Sequence, residues 1–182
     1  RLDALDAEKY AHEAEMAGFV LKSHRYHTGA LAQTLSRVYP GLTVAGAVVL
    51  NWEVGGLNPD AVEAAARIGA KVVWMPTRSA PSDSGTRAGI RLTDDDGRLA
   101  PQLHDIIDIA KQHDMALASG HASPPEAIAL FAEAERKGVR RLIATHPSGV
   151  ASEEEMRRMT AHGVYIEFTF ASCMPSGGAQ SP

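Results

Sequence analysis

The 182-residue chain is 45% hydrophobic and 22% charged, with a formal net charge of −4, which excludes a disordered or fibrous polymer and is enough to bury one sizeable core. With no basic stripe, no apolar run of about 18 residues and no signal-like start, nucleic-acid and membrane partners are not expected. The single cysteine, Cys173, cannot form an internal disulfide, and a reducing cytoplasmic setting is the default.

The pattern begins with a helix over 2–17, whose apolar positions recur at mostly helical spacing before Gly18. Apolar runs that read as strands follow at 19–24, 43–51, 71–77, 115–121, 139–146 and 164–170. Between them the pattern predicts helices over 59–68, 101–113, 124–137 and 153–162. Capping boxes at Ser123-Pro-Pro-Glu126 and Ser152-Glu-Glu-Glu155 mark two helix starts, and Pro59 and Pro101 sit at first helical positions. Gly18, Gly69, Gly138 and Gly163 each end a helix just before a strand. A single domain is expected over 1–172, with a flexible tail at 173–182, and the start at Arg1 suggests a fragment.

Strands alternating with helices require parallel pairing through crossovers. Strand starts recur about every 24 to 28 residues except across 78–100, an insertion whose Asp96-Gly97 turn predicts a small hairpin. The insertion leaves the C-terminal end of a strand, so it is either a lid or a solvated excursion. Two architectures compete. Six units fall short of a (β/α)8 barrel, while a doubly wound sheet lacks its phosphate fingerprint, since Lys22-Ser-His-Arg-Tyr-His-Thr-Gly29 follows the first strand.

His121 closes the run Met115-Ala-Leu-Ala-Ser-Gly-His121, and His146 closes Arg141-Leu-Ile-Ala-Thr-His146, one strand–helix unit later. Two imidazoles at neighbouring strand ends can converge on one borderline metal such as zinc, with manganese or iron as alternatives; a strand-end histidine taken alone would instead cap a helix or bind a backbone carbonyl. Lys22 and His24 share one face of the first strand. Lys22 there needs a carboxylate, a modification or a substrate anion, and His24 is a further ligand or an acid/base. Glu167 interrupts the last strand as a catalytic carboxylate or an ion-pair partner. Asn51 and Trp52, at the end of the second strand, are expected to line the substrate pocket. His12, His104, His113 and His162 fall on helices or at their ends and are poor ligand candidates.

The strand endings Val20-Leu-Lys-Ser-His24, Val49-Leu-Asn51, Val54-Gly-Gly-Leu-Asn-Pro59, Val73-Trp-Met-Pro-Thr77, Gly120-His121 and Thr145-His-Pro147 resemble the amidohydrolase superfamily, and in particular an uncharacterised amidohydrolase-related family. The resemblance implies an α/β, TIM-barrel-like (β/α)8 fold, incomplete here, with strands two to seven represented. It implies His121 and His146 as the metal ligands of the fifth and sixth strands, and a divalent ion, zinc first, that activates water against an amide, ester, lactone or phosphoester. That superfamily's His-x-His of strand one and aspartate of strand eight have no counterpart in this sequence, and Lys71 stands at the wrong end of its strand to match the bridging lysine of strand four. A small-molecule substrate is the expected partner, and a homo-oligomer is compatible. Two other classes remain open: a non-catalytic anion-binding barrel domain, and a metal-free lyase using Lys22 as a Schiff base.

Overall fold

The computed structural model describes residues 3–169; the tail expected at 173–182, with Cys173, lies outside them. Its elements are α1 (Ala4–Glu13), β1 (Gly18–Val20), α2 (Gly29–Leu35), β2 (Thr43–Val49), α3 (Pro59–Arg67), β3 (Ala70–Trp74), α4 (Gln102–Gln112), β4 (Ala116–Ala118), α5 (Pro124–Lys137), β5 (Leu142–Ala144), α6 (Glu153–Thr160) and β6 (Val164–Ile166). All six strands are parallel, and their order in the sheet is their order in the chain. A doubly wound sheet reverses order at a switch point; none occurs among the described residues. The sheet instead curls as a part of a TIM-barrel-like α/β fold.

Side-chain alternation explains the layering. Val48, Val73, Leu117 and Leu142 point outward and pack with Val62, Ala65, Leu103, Ile106, Leu130 and Phe131 of the helices. Ala47, Val49, Val72, Trp74, Ala116 and Ala118, with Ile143, form a second cluster made of strand residues alone. Helices therefore cover one face, and the other is the concave interior.

Local chemistry accounts for most boundaries. Asn58 Oδ1 accepts from the amides of Asp60 and Ala61 at the start of α3. Both capping boxes form, with Glu126 accepting from Ser123 N at 3.0 Å and Glu155 from Ser152 N at 2.8 Å. Pro101 is a cap residue rather than the first residue of α4. Gly18 departs from expectation: it lies inside β1, and the left-handed residue after α1 is Glu15, with φ of 54°. A Cβ at Gly18 would stand 2.4 Å from the Thr43 carbonyl oxygen, so this glycine serves close strand contact.

The strands are shorter than the apolar runs; after β2, β3 and β4 the runs continue into buried loop ends at Leu50, Met75 and Ser119. The insertion forms one antiparallel bridge, Thr93 to Leu99, closed by Asp94 N to Arg98 O at 2.9 Å. It is anchored: Leu92 is part of the main core, and Glu126 accepts from Leu92 N at 2.8 Å.

Candidate functional site

Because every strand runs the same way, the loops after β1 to β6 open on one edge of the sheet, where α/β proteins gather their chemistry. Lys22 and His24 follow β1, Asn51 follows β2, Thr77 and Arg78 follow β3, His121 follows β4, His146 follows β5 and Glu167 follows β6. The two histidines meet: their ring centres are 5.1 Å apart, with the planes inclined at 64°.

Local backbone sets each ring. Gly120 adopts φ of 58°, and a Cβ there would lie 2.3 Å from the Met75 carbonyl oxygen, so only glycine lets the chain turn His121 inward against β3. Its turn is tied by His121 N to Pro76 O at 2.9 Å and by Gly120 N to Thr145 Oγ1 at 3.1 Å. Thr145 N donates in return to Ser119 Oγ at 3.0 Å, so the loops carrying the two histidines brace one another. His146 is held left-handed, at φ 31° and ψ 56°, immediately before Pro147. Such a backbone costs about 1–3 kcal/mol for a residue with a side chain and is characteristic of functional sites.

Asp83, from the insertion, accepts from His121 Nδ1 at 3.0 Å, which leaves Nε2 as the free nitrogen. Burial pushes the Asp83 carboxyl up, but the Ser82 hydroxyl and the His121 and His146 rings outweigh it and hold it below the ordinary value. These residues open on a cleft of about 510 Å³ with Pro81, Ala122, Pro147, Val150 and Met159 along its walls.

His24 sits on a neighbouring network. Asn51 is 0% exposed; its Oδ1 accepts from Thr77 N at 2.9 Å and Ser79 N at 3.2 Å, and its Nδ2 donates to His24 O and Thr77 Oγ1, each at 3.0 Å. The Thr77 hydroxyl accepts from Asn51 Nδ2 and lies 2.8 Å from His24 Nδ1, a hydrogen bond whose direction is set by the tautomer of the ring. Burial first, then the charges of Lys22, Arg78 and His121, lower the pKa of His24 to about 4. The ring is neutral at pH 7. Lys22 is half-buried, with Nζ 5.3 Å over the centre of the Trp74 ring. Its pKa is lowered, mainly by burial and also by Arg78, against the opposing charge of Glu167.

Asn51, expected to line the pocket, is sealed from solvent and positions the loops instead. Trp52 stands beside a separate depression, with Arg87 stacked 3.9 Å from its ring centre, rather than at the histidine cleft. Glu167 does not reach Lys22 as an ion pair, although its charge is felt there. The helical histidines are engaged elsewhere, as with His104 on Glu133, His113 on Glu63 and His162 on Glu135. Thr77 and Thr145 stand in quoted run endings without a role of their own, and Asp83 has no signal in the sequence, because their hydrogen bonds join distant loops.

The donors present bear on a metal in two ways. Two tetrahedral zinc ligands with Zn–N of about 2.1 Å place their ring centres about 5 Å apart, and a ligating histidine ordinarily gives its other nitrogen to a carboxylate, as His121 does. Among the described residues no group of three His, Cys, Asp or Glu side chains could hold an ion. The described chain thus fits two of the three or more protein ligands of a catalytic zinc.

Residues 1–167 match the model of DUF6282, a family of unknown function, and the chain belongs to that family. No curated protein matches it. Among solved structures it is similar to an amidohydrolase from Pseudomonas aeruginosa at 13% identity, over 89% of this chain and 47% of that one, with a TM-score of 0.52. The chain spans about half the length of that protein, and the likeness is one of fold.

Proposed function

We propose that this member of DUF6282 is a metal-dependent hydrolase of the amidohydrolase type, acting on an amide, ester, lactone or phosphoester. The observation that carries the reading is the convergence of His121 and His146 from the ends of adjacent parallel strands, with Asp83 on the far nitrogen of His121. A divalent ion, zinc first and manganese or iron as alternatives, would be held by these two imidazoles and by donors outside the described residues; when bound it supplies an activated water and a Lewis acid. Asp83 keeps the His121 Nε2 free, and Lys22, neutral His24 or Glu167 would position substrate or transfer protons.

The test is metal content. After equilibration with zinc and desalting, elemental analysis should find less zinc in His121→Ala and in His146→Ala than in the parent chain. Unchanged content in both variants ends the ligand assignment.

One observation favours a second reading. Burial makes the Lys22 amine easier to deprotonate, as an amine that forms a Schiff base requires. Borohydride trapping of a carbonyl compound on Lys22 would replace the hydrolase reading with a lyase.

A further inference from the structure

The cleft beside the histidine pair has a charge pattern that narrows what can enter it. Besides His121 and His146, its lining carries two carboxylates, Asp83 and Glu126, and no lysine or arginine among the described residues. Glu126 is 7% exposed and fully engaged: one oxygen accepts from Leu92 N at 2.8 Å and Thr93 N at 3.4 Å, the other from Ser123 N at 3.0 Å and Ser123 Oγ at 2.7 Å. Asp83 is only half engaged. Its hydrogen bonds from Ser82 Oγ at 2.6 Å and His121 Nδ1 at 3.0 Å both fall on Oδ2, and Oδ1 has no partner among the described residues. Helix α5 starts on the same wall, but its first two residues, Pro124 and Pro125, have no N–H, so this helix end lacks donors that would hold an anion. The remaining wall is apolar, and Val150 stands on it 69% exposed.

We propose that the cleft binds an apolar amine, with its ammonium group on Asp83 Oδ1 and its hydrocarbon body against Pro147 and Val150. A carboxylate facing a cavity without a cation attracts a positive donor and repels an oxyanion. The hydrocarbon body takes the exposed face of Val150 out of water, and about 510 Å³ is room for one small molecule. Because Oδ2 of the same carboxylate holds His121 Nδ1, the amine lies a few bonds from the group that faces the two imidazoles. That this group is the scissile bond rests on the hydrolase reading; the preference for an amine does not.

The test titrates the chelator-treated full chain with phenethylamine, 2-phenylethanol and phenylacetate by ligand-observed NMR at pH 7, in enough salt to screen the net charge of −4. Phenethylamine should bind about tenfold more tightly than 2-phenylethanol, and phenylacetate should bind most weakly. Asp83→Asn should abolish the tenfold advantage and leave the affinity for 2-phenylethanol unchanged, which also reports that the cleft is intact. Val150→Ser, at an exposed position, should weaken amine and alcohol alike by about threefold. Equal binding of amine and alcohol, tightest binding of phenylacetate, or an amine preference that survives in Asp83→Asn overturns the proposal. The zinc measurement fails separately: unchanged zinc in His121→Ala and His146→Ala ends the hydrolase reading and leaves the amine cleft standing, whereas zinc lost from those variants with no amine preference in the parent ends only the cleft assignment.

Discussion

Replacing Asn51 by alanine should test whether the site is built on one buried amide. The substitution removes the acceptor for Thr77 N and Ser79 N and the donor to the His24 carbonyl. Thr77 and Ser79 are 0% and 1% exposed, so water does not reach their amides in the parent fold. A buried group left without its partner costs about 1–3 kcal/mol. Two buried amides and a part-buried carbonyl give about 3–9 kcal/mol, and water entering the vacated space lowers this toward about 3 kcal/mol. That is a large share of the roughly 5–15 kcal/mol that stabilises a domain. Urea denaturation at pH 7, with an unchanged slope, should show the loss as a lower midpoint. Hydrogen exchange at Thr77 and Ser79 should accelerate in the same variant. A loss below about 1 kcal/mol, with those two amides still protected, would refute the role assigned to Asn51.

Two further outcomes follow from the same edge of the sheet. Gly120→Ala places a methyl 2.3 Å from the Met75 carbonyl oxygen at a φ of 58° and should destabilise by about 2 kcal/mol or more while separating the His121 and His146 rings; thermal melting and ring–ring NOEs check both. His24, whose pKa is lowered to about 4, should titrate near that value by NMR, and Arg78→Gln should raise its midpoint by removing a nearby cation. The unfolded chain takes up this proton near pH 6.5 and the folded one only near 4, so stability should fall as pH drops through that window and be insensitive to this group above it.

The alternation of strand and helix is legible because each unit is written in local chemistry. Ser123 and Ser152 find their glutamates three residues on, and Gly69, Gly138 and Gly163 all take positive φ. Helix α2 is not announced, and the reason is physical: Thr28, at its cap position, donates its hydroxyl to Leu21 O at 2.6 Å and accepts from Ala47 N at 2.8 Å, so it bonds strands rather than the helix. Strand order also resolves what periodicity left open between a barrel and a doubly wound sheet, since both share the same pattern of runs. In the site, the histidine pair could be read from two matching run endings. Asp83 could not, because its bond to His121 joins a serine-rich insertion to a strand end 38 residues away.

Pairing of each strand with its chain neighbours alone also bears on how the molecule is made. A sheet whose middle strand is last in sequence must wait for the whole chain before its centre closes. Here every new strand meets an edge already laid down by the one before it, so the sheet can grow in step with synthesis from the N-terminal end. The histidine pair comes together only when the fifth strand docks on the fourth.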